Sequence, residues 1–423
     1  MGTQESQASA RRDGPHPSVT KRTPSRNDDF FHEDELRTLR EYIRPLRRNK
    51  RIRVAMSTAL ELWLIFGLDL GPRAAAWIAG QGWALRLLVV VALFDIVGQA
   101  IRVPFAAWAN LVYEKRAGHS TMTVGTFVKD QLLEFALGIV INMAMLVPVY
   151  AAIHAFGSAW WMVGAGFIFA LIVALNFVAP IWIMPRFNKF TPLPEGPIRS
   201  RIEELATLQG VEIEGVYLMD ASRRTNRANA GVTGFGKTKR VIVNDTICDF
   251  PIEELSQVIA HELGHYRLNH VVKGILLQAV QFPFALLFIH LVASNDEVLR
   301  WAGLRDLGDP ASYPLFGVLF GLAMSVFSLA SMFQSRTYER EADLESLELL
   351  GDPTSFVAVW PRMVLNDKAR MEPTPWEKLT STHPEIAERM QFGLDWAGMN
   401  DVAVTKPAPR SVPEPEKPAP VAP

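Results

Sequence analysis

The sequence predicts a mainly α-helical, polytopic membrane protein: a bundle of about six spans with a cytoplasmic domain that contains a small β-sheet. Three observations predict this fold class. Hydrophobic residues make up 49% of the 423 residues, and they are concentrated in blocks long enough to cross a bilayer. Lysine and arginine gather on one side of these blocks. The longest polar interval between the blocks contains stretches that alternate like β-strands.

The two ends of the chain have the composition of disordered segments. Residues 1–28 are polar and rich in proline, serine and arginine, which predicts a disordered N-terminal tail. The first apolar stretch begins far beyond the usual reach of a signal peptide, so no cleavable signal is expected. Residues 401–423 are rich in proline and predict a second disordered tail.

Six apolar blocks predict the membrane spans. They lie at residues 54–70, 83–103, 133–155, 160–183, 272–293 and 314–334. The first block is short and contains Glu61 and Asp69, so five spans with one interfacial helix are the alternative. The first four blocks define an N-terminal membrane domain over residues 29–183. The last two belong to a second domain over residues 184–400.

The distribution of cations predicts the orientation of the bundle. Five cations come just before the first block: Arg47, Arg48, Lys50, Arg51 and Arg53. By the positive-inside rule they place the N-terminus in the cytoplasm. Six spans then put the C-terminus and residues 184–271 on the same side. The loops on the opposite side carry few cations, in agreement with this topology.

Charge and cysteine content exclude other classes of function. The formal net charge is −1, which gives no reason to expect a nucleic-acid partner. Cys248 is the single cysteine of the chain, and internal disulfides are therefore excluded.

The polar interval after the fourth block predicts one helix and a small sheet. Pro197 opens an amphipathic helix that continues to about Leu208. Residues 211–219 alternate like a strand, and residues 228–234 and 240–244 predict a hairpin.

Such a sheet can hold an extended peptide as an added strand. Asn229 and Ala230 lie on the predicted hairpin and are candidate contacts to a substrate backbone. An ordinary strand asparagine is an equally good interpretation of Asn229.

Residues 261–265 read His-Glu-Leu-Gly-His, a pattern typical of hydrolytic zinc sites. Positions four apart share one helix face, so His261 and His265 can bind a single metal ion. Glu262 points about 100° away from that face. It is placed to accept a proton from a water at the metal, and not to act as a third ligand.

The third ligand must come from elsewhere. His270 falls on a different face from the first two histidines, and residues 281–285 contain no acid. Glu339 and Asp343 are four apart in a polar helical run, so one can bind zinc while the other supports a ligand histidine. An ordinary charged helix face is the alternative. Glu341, between them, is expected to face solvent.

The spans themselves support this pairing. His265 comes seven residues before the fifth block, and Glu339 comes five residues after the sixth. If both helices continue from the membrane, the two side chains emerge at similar heights, roughly 10 Å beyond the bilayer edge at 1.5 Å per residue.

Residues 381–389 form a loop that breaks into a helix. His383 and Arg389 in this segment could stabilise the oxyanion that forms when water attacks an amide. A surface cap is the simpler interpretation of the two residues taken alone.

Three stretches in this order resemble the type I CAAX prenyl endopeptidases, a family of integral-membrane zinc proteases. They are HELGHYRLNH, SRTYEREAD and STHPEIAER, at residues 261–270, 335–343 and 381–389. Residues 187–196, FNKFTPLPEG, also resemble that family. The resemblance extends over about residues 55–395.

The resemblance implies a role for each candidate residue. It implies one Zn²⁺ per chain, held by His261, His265 and Glu339, with Glu262 as the base that activates water. Asp343 matches the catalytic acidic residue beside the metal, which is often assigned as the proton donor to the leaving amine; the chemistry favours orienting a ligand. Asn229 and Ala230 match the substrate-binding strand, and His383 and Arg389 match a pair that contacts substrate and oxyanion.

Members of that family enclose a chamber within seven spans, with the zinc site at its cytoplasmic end. This chain is polar where eukaryotic members carry their first span, which leaves six. In this respect it resembles bacterial members, and a bacterial plasma membrane is the expected location.

The expected function is therefore that of a membrane-embedded zinc endopeptidase. Its expected partners are the lipid bilayer and a peptide or protein substrate. The C-terminal peptide of a lipidated protein is one such substrate, and damaged membrane proteins in quality control are the alternative. A non-catalytic membrane scaffold is the third interpretation, which the complete set of metal-site residues argues against.

Overall fold

The computed structural model describes residues 25–405. The predicted tails therefore lie largely outside the described residues, at 1–24 and 406–423. The part of the first tail that is described contains a short turn, Asn27–Asp29. The side-chain amide of Asn27 donates to the carbonyl of Met371 at 2.7 Å. The boundaries of the predicted domains stay predictions.

The N-terminal half consists of long helices. They are α1 (Glu33–Leu62), α2 (Leu70–Trp77), α3 (Trp83–Ala107), α4 (Val124–Phe156) and α5 (Trp160–Val178). Three of them, α1, α3 and α5, continue directly into π-helical turns, at Trp63–Gly67, Trp108–Tyr113 and Ala179–Ile183. The mainly helical fold predicted from the sequence is confirmed.

The C-terminal half alternates between a small sheet and further helices. The strands are β1 (Phe190–Pro192), β2 (Gly215–Met219), β3 (Ala230–Thr233) and β4 (Arg240–Asn244). The helices are α6 (Pro197–Leu208), α7 (Ile252–Arg267), α8 (His270–Ala293), α9 (Asp296–Trp301), α10 (Tyr313–Leu350), α11 (Pro353–Asp367), α12 (Pro375–Leu379) and α13 (Ile386–Met399).

Four helical segments of the described chain are long and apolar enough to cross a bilayer. They are Trp83–Arg116, Val124–Phe187, His270–Ala293 and Pro310–Leu350, and Glu33–Gly67 with Leu70–Trp77 makes a fifth if this pair, bent by 62°, is one span. The segment Val124–Phe187 contains both α4 and α5, which fold back on each other at Gly157–Ala159. It therefore holds two of the six predicted spans, and the total of six stays a prediction.

The membrane helices share one apolar core. It is built from α3, α4, α5, α8 and the first turns of α10, around residues such as Leu87, Val149, Trp160 and Leu286. A Cβ on Gly164 of α5 would lie 3.3 Å from Leu286 of α8 and 3.5 Å from Val149 of α4. This close approach packs α5 between its two neighbours.

The last two apolar helices, α8 and α10, form the antiparallel pair that the sequence predicts. The amide of Gln281 donates to the hydroxyl of Ser331 at 2.8 Å across the pair. The rings of Phe282 and Phe320 stack 6.1 Å apart. The polar turn between the two helices therefore brings Glu341 of α10 level with His270, the first residue of α8.

The sheet has the strand order β1-β2-β4-β3. The hairpin predicted over residues 228–244 is present as the antiparallel pair β3–β4. The pairing of β2 with β4 is parallel, and β1 pairs antiparallel with β2. The sequence predicted neither of these two pairings. The sheet packs on α6 and α7 through a core that includes Ile202, Val241 and Ile259.

Candidate metal centre

Helices α7 and α10 bring three potential metal ligands together. The Nε2 atoms of His261 and His265 are 3.2 Å apart. The carboxylate of Glu339 lies 3.4 Å from Nε2 of His261 and 3.5 Å from Nε2 of His265. Zinc bonds of about 2.0–2.1 Å in tetrahedral geometry separate neighbouring ligand atoms by about 3.4 Å. The two Glu339 distances end on different oxygens, Oε2 for His261 and Oε1 for His265. One ligand atom from each of the three side chains lies within 4.8 Å of the others, close enough for all three to bind one metal ion.

The environment of Glu339 also fits a cation. Its side chain is buried, and its Oε2 atom has no hydrogen-bond partner among the described residues. A buried carboxylate oxygen without a partner is costly, and a metal ion between the two histidines would satisfy it. The donor set of two imidazoles and one carboxylate is typical of catalytic zinc sites with an open fourth position.

His261 is held by a buried ion pair. Its Nδ1 atom lies 2.9 Å from Oδ1 of Asp343, and Nε of Arg389 donates to Oδ2 of the same carboxylate at 2.9 Å. Asp343 is 1% exposed and Arg389 is 5% exposed. The guanidinium of Arg389 also stacks 3.7 Å from the ring centre of Trp360. In the neutral tautomer in which Nδ1 of His261 donates to Asp343, its Nε2 atom presents a lone pair to the metal position.

The electrostatics of His261 follow from these neighbours. Burial lowers the pKa of His261, but the nearby carboxylates of Asp343 and Glu339 raise it more, and the resulting pKa is about 9. Without a metal the imidazole would therefore hold a proton at neutral pH. Metal binding has to displace that proton, so metal affinity falls as pH is lowered.

His265 is held by a second relay that the sequence analysis missed. Its Nδ1 atom lies 2.9 Å from Nδ1 of His270, and Nε2 of His270 lies 2.8 Å from the carboxylate of Glu341. His270 is 5% exposed and stacks on the ring of Tyr338 at 4.1 Å. If His270 donates to Glu341, its other nitrogen accepts from His265, and Nε2 of His265 is left free for the metal.

The sequence predicts that Glu341 faces solvent, and its side chain is indeed 35% exposed, but its carboxylate also binds His270. His270 lies off the face shared by the first two histidines, as the spacing predicts, but the helix breaks before it. Asn269 adopts a left-handed conformation with φ 57°, and this turn starts α8 and directs the His270 ring back to His265. The feature of the sequence that could have indicated this relay is a third histidine, five residues after His265.

Glu262 lies on the side of the metal position that faces the sheet. Its Oε2 atom is 3.8 Å from the place that a Cβ on Gly231 would occupy. The carboxylate is therefore next to β3, and it is half-buried. A peptide that lies along β3 would pass beside it.

The predicted substrate residues begin the edge strand of the sheet. Asn229 is exposed, and its carbonyl accepts from the backbone N–H of Asn244 at 3.0 Å. Ala230 is 6% exposed and packs into the core beneath the sheet. The hydroxyl of Tyr266, on α7, donates to the carbonyl of Val232 at 3.1 Å. Burial and the charge of Glu262 raise the pKa of Tyr266 to about 12, so this hydroxyl keeps its proton.

His383 and Arg389 occupy different sides of the metal position. Nε2 of His383 is 3.4 Å from Oε1 of Glu339, and its side chain is 60% exposed. Arg389 is buried behind His261, and its Nη1 atom is 3.6 Å from Glu339. The two residues predicted as one pair therefore have different access: His383 is on the open side, and Arg389 is on the closed side.

Comparisons with known proteins find matches to both halves of the chain. The model of peptidase family M48 matches residues 192–396, and that of the CAAX prenyl protease N-terminal region, described as five membrane helices, matches residues 16–189. A CAAX prenyl protease 1 homolog of Oryza sativa subsp. japonica is 30% identical over 312 residues, which are 72% of each chain. An uncharacterized metalloprotease of Bacillus subtilis is 25% identical over 89% of each chain.

A solved structure shows the same fold. The crystal structure of S. mikatae Ste24p matches with a TM-score of 0.77 at 20% identity. The match covers 89% of this chain and 92% of that chain. The arrangement of membrane helices and sheet is therefore shared by the two proteins.

Proposed function

Since the chain belongs to the CAAX prenyl protease family of M48 peptidases, we propose that it is a zinc endopeptidase that cleaves lipidated proteins at the cytoplasmic face of its membrane. Membership makes it a multi-pass membrane metalloendopeptidase that acts on peptide or protein substrates. The proposal concerns the identity of the metal, the role of each residue, the orientation and the lipid.

The metal that we propose is one zinc ion per chain, held by His261, His265 and Glu339. The observation that carries this proposal is that one ligand atom from each of the three side chains lies within 4.8 Å of the other two, with the two imidazole Nε2 atoms 3.2 Å apart. A zinc ion bound there would lower the pKa of a water and polarise a peptide carbonyl.

Glu262 is the proposed general base. Its carboxylate faces β3, so it can accept a proton from a water that attacks a peptide on that strand. The same carboxylate can then return the proton to the leaving amine. Asn229 and Ala230 are proposed to hold the substrate backbone at the edge of the sheet.

His383 is the proposed donor to the oxyanion, because it is the accessible one of the two predicted donors. Arg389 and Asp343 are proposed to act through His261. Their buried pair fixes the position and tautomer of this imidazole, and neither side chain reaches the open side of the metal position.

The most specific part of the proposal is that the substrate carries a lipid chain. A cavity of about 410 Å³ lies between α5, α8 and the end of β3. Its wall includes Ile172, Leu175, Ala179 and Met184 on the membrane side, and Gly234 and Tyr266 on the side of the sheet. An apolar space that adjoins the substrate strand is suited to an alkyl chain attached to the substrate.

The proposed orientation follows from the cations before the first apolar block and from the scarcity of cations in the opposite loops. It places the N-terminus, the metal site and the C-terminus in the cytoplasm. The proposed location is a bacterial plasma membrane. The proposed peptidase domain spans residues 184–400.

The test of the metal and the base uses purified protein. We expect about one zinc per chain in the wild type and in Glu262→Ala, with peptide cleavage by the wild type alone. Glu339→Gln should lose both zinc and activity. Absence of zinc from the wild type would overturn the ligand assignment, and cleavage by Glu262→Ala would overturn the role of the base.

The test of the lipid compares one quenched fluorescent peptide with and without a prenyl chain. We expect faster cleavage of the prenylated form, and a smaller preference in Ala179→Phe, which adds a ring at the cavity wall. Ala174→Phe is the matched control, because Ala174 is exposed on the same helix and does not line the cavity. Equal cleavage of both peptides by the wild type would favour the quality-control function instead.

A further inference from the structure

We propose that a cleft lined by arginine on α1 binds the phosphate of an anionic phospholipid. The lining arginines of this helix are Arg40, Arg44, Arg47, Arg48 and Arg51. Their spacing of three and four residues puts them on one face of α1. They line a cavity of about 580 Å³, whose wall also contains the apolar side chains of Leu39, Ile43 and Met371.

The positive charge of this cleft is only partly balanced by the protein. Arg47 pairs with Glu377 at 3.0 Å, and Arg40 pairs with Glu33 and lies 3.5 Å from Glu372. Within residues 25–405, Arg44, Arg48 and Arg51 have no carboxylate at ion-pair distance.

The Nε atom of Arg47 adds a second observation. It is buried and has no hydrogen-bond partner among the described residues. Guanidinium groups bind phosphate through several donors in a fixed fork, so a phosphate in the cleft would accept from the arginines that line it and separate their like charges.

The position of the cleft indicates a lipid as the source of the phosphate. Arg51 lies one helical turn before Val54, and Val54 and Met56 are 49% and 47% exposed. These side chains begin the apolar surface of the first span. The cleft therefore lies against the headgroup layer, and its mixture of cations and apolar side chains suits both a phosphate and the start of an acyl chain.

The experiment counts lipids that stay bound when the protein is released from nanodiscs and weighed by native mass spectrometry. We expect the wild type to retain phosphatidylglycerol in preference to phosphatidylcholine. The variant R44Q/R48Q should lose at least nine-tenths of this retention. The control K50Q/R53Q removes the same charge from another face of α1 and should retain the lipid.

Two outcomes would overturn the proposal. The first is equal retention of both lipids by the wild type, and the second is equal retention by the two double variants. A third arm adds inorganic phosphate. If free phosphate displaces the lipid and binds to the protein in detergent without any lipid, the site takes a soluble phosphate and the lipid assignment is wrong.

A separate observation, which rests on the proposed function, concerns the substrate strand. We infer that the side chain of Tyr266 limits how far along the edge of β3 a peptide can form hydrogen bonds. Asn229 and Asn244 are bonded partners, and Ala230 pairs with Val243 in the same antiparallel register. Partners alternate between bonded and non-bonded along such a pair. The N–H and C=O groups of Ala230 and Val232 therefore point away from β4, to the open edge.

Tyr266 occupies part of that edge. Its hydroxyl lies 3.1 Å from the carbonyl of Val232 and 3.2 Å from the carbonyl of Gly234. The open groups that remain on β3 are the N–H and C=O of Ala230 and the N–H of Val232. A substrate can therefore donate only one of its own N–H groups to this strand, and past Val232 it enters the cavity that adjoins Tyr266.

The experiment places a backbone N-methyl group at each position of a peptide in turn. Binding to the Glu262→Ala protein is measured by fluorescence anisotropy. With the Glu262→Ala protein we expect N-methylation at a single peptide position to weaken binding about tenfold, because only that N–H donates to β3. Tyr266→Phe frees the Val232 carbonyl, and a second sensitive position should appear two residues from the first. Tyr217→Phe on β2 is the matched control and should leave a single sensitive position.

The possible results separate this inference from the proposed function. Two sensitive positions already present before Tyr266 is changed, or an unchanged pattern in Tyr266→Phe, would overturn the role of Tyr266. If the wild type cleaves none of the peptides, this result counts against the proposed function. The pattern of binding to the Glu262→Ala protein would still decide the role of Tyr266.

Discussion

Replacing His270 by leucine tests whether a residue that does not itself bind the metal, but contacts the far side of a ligand histidine, affects the metal affinity. Leucine is apolar and of similar volume, so the side chain still fills the site but neither hydrogen bond of the relay can form. His265 then loses the acceptor for its Nδ1 proton, at present 2.9 Å away, and its tautomer and ring orientation are no longer fixed.

The expected magnitude follows from the position of the relay. His270 is 5% exposed, so water cannot easily replace it as the partner of His265. Loss of such a supporting hydrogen bond weakens metal binding by about 10- to 100-fold, which is about 1.4–2.7 kcal/mol. The pair Asp343–His261 is untouched, so binding should be weakened and not abolished.

The assay is the zinc dissociation constant, measured by competition with a chelator of known affinity. Tyr338→Phe is the control, because it keeps the ring that stacks on His270 and removes only its hydroxyl, the partner of Gln334. Its dissociation constant should be that of the wild type. An unchanged dissociation constant in a folded His270→Leu protein would refute the relay.

Three further predictions concern the site and its support. His383→Ala should lower kcat by about 10²–10³-fold with zinc content unchanged, and an unchanged kcat would exclude His383 as the oxyanion donor. Asp343→Asn leaves a buried arginine without its charge partner and should destabilise the fold by about 3–5 kcal/mol, measured by chemical unfolding in detergent. Gly393→Ala would place a Cβ 2.6 Å from Phe356 and should cost about 1–3 kcal/mol. Gly398→Ala, on the same helix with nothing within 4 Å, should cost nothing measurable, and equal losses in both would contradict this packing argument.

Much of the architecture could be predicted because its determinants are local. The helix over residues 197–208 begins at a proline and has one apolar face, and the structure places it at Pro197–Leu208. The meeting of His265 with Glu339 could be predicted because two apolar blocks of similar length, residues 272–293 and 314–334, are joined by a polar turn and have to return to the same height.

The features that the sequence did not predict depend on non-local contacts. The parallel pairing of β2 with β4 joins strands separated by a whole strand and a turn, and no local pattern specifies such a pairing. The relay through His270 depends on one left-handed residue, Asn269, whose conformation redirects the following helix. Helical periodicity alone places His270 on the wrong face and predicts no contact between Glu341 and His270.

The placement of the ligands on α7 and α10 has a consequence for biosynthesis. His265 and Glu339 are separated by α8, the polar turn and most of α10, so two apolar helices must be inserted before the ligands can meet. A chain that has not completed this hairpin holds at most two of the three ligands. With the proposed ligand set, the metal site is complete only after α10 is in place, and a chain that has not yet inserted this helix is expected to be inactive.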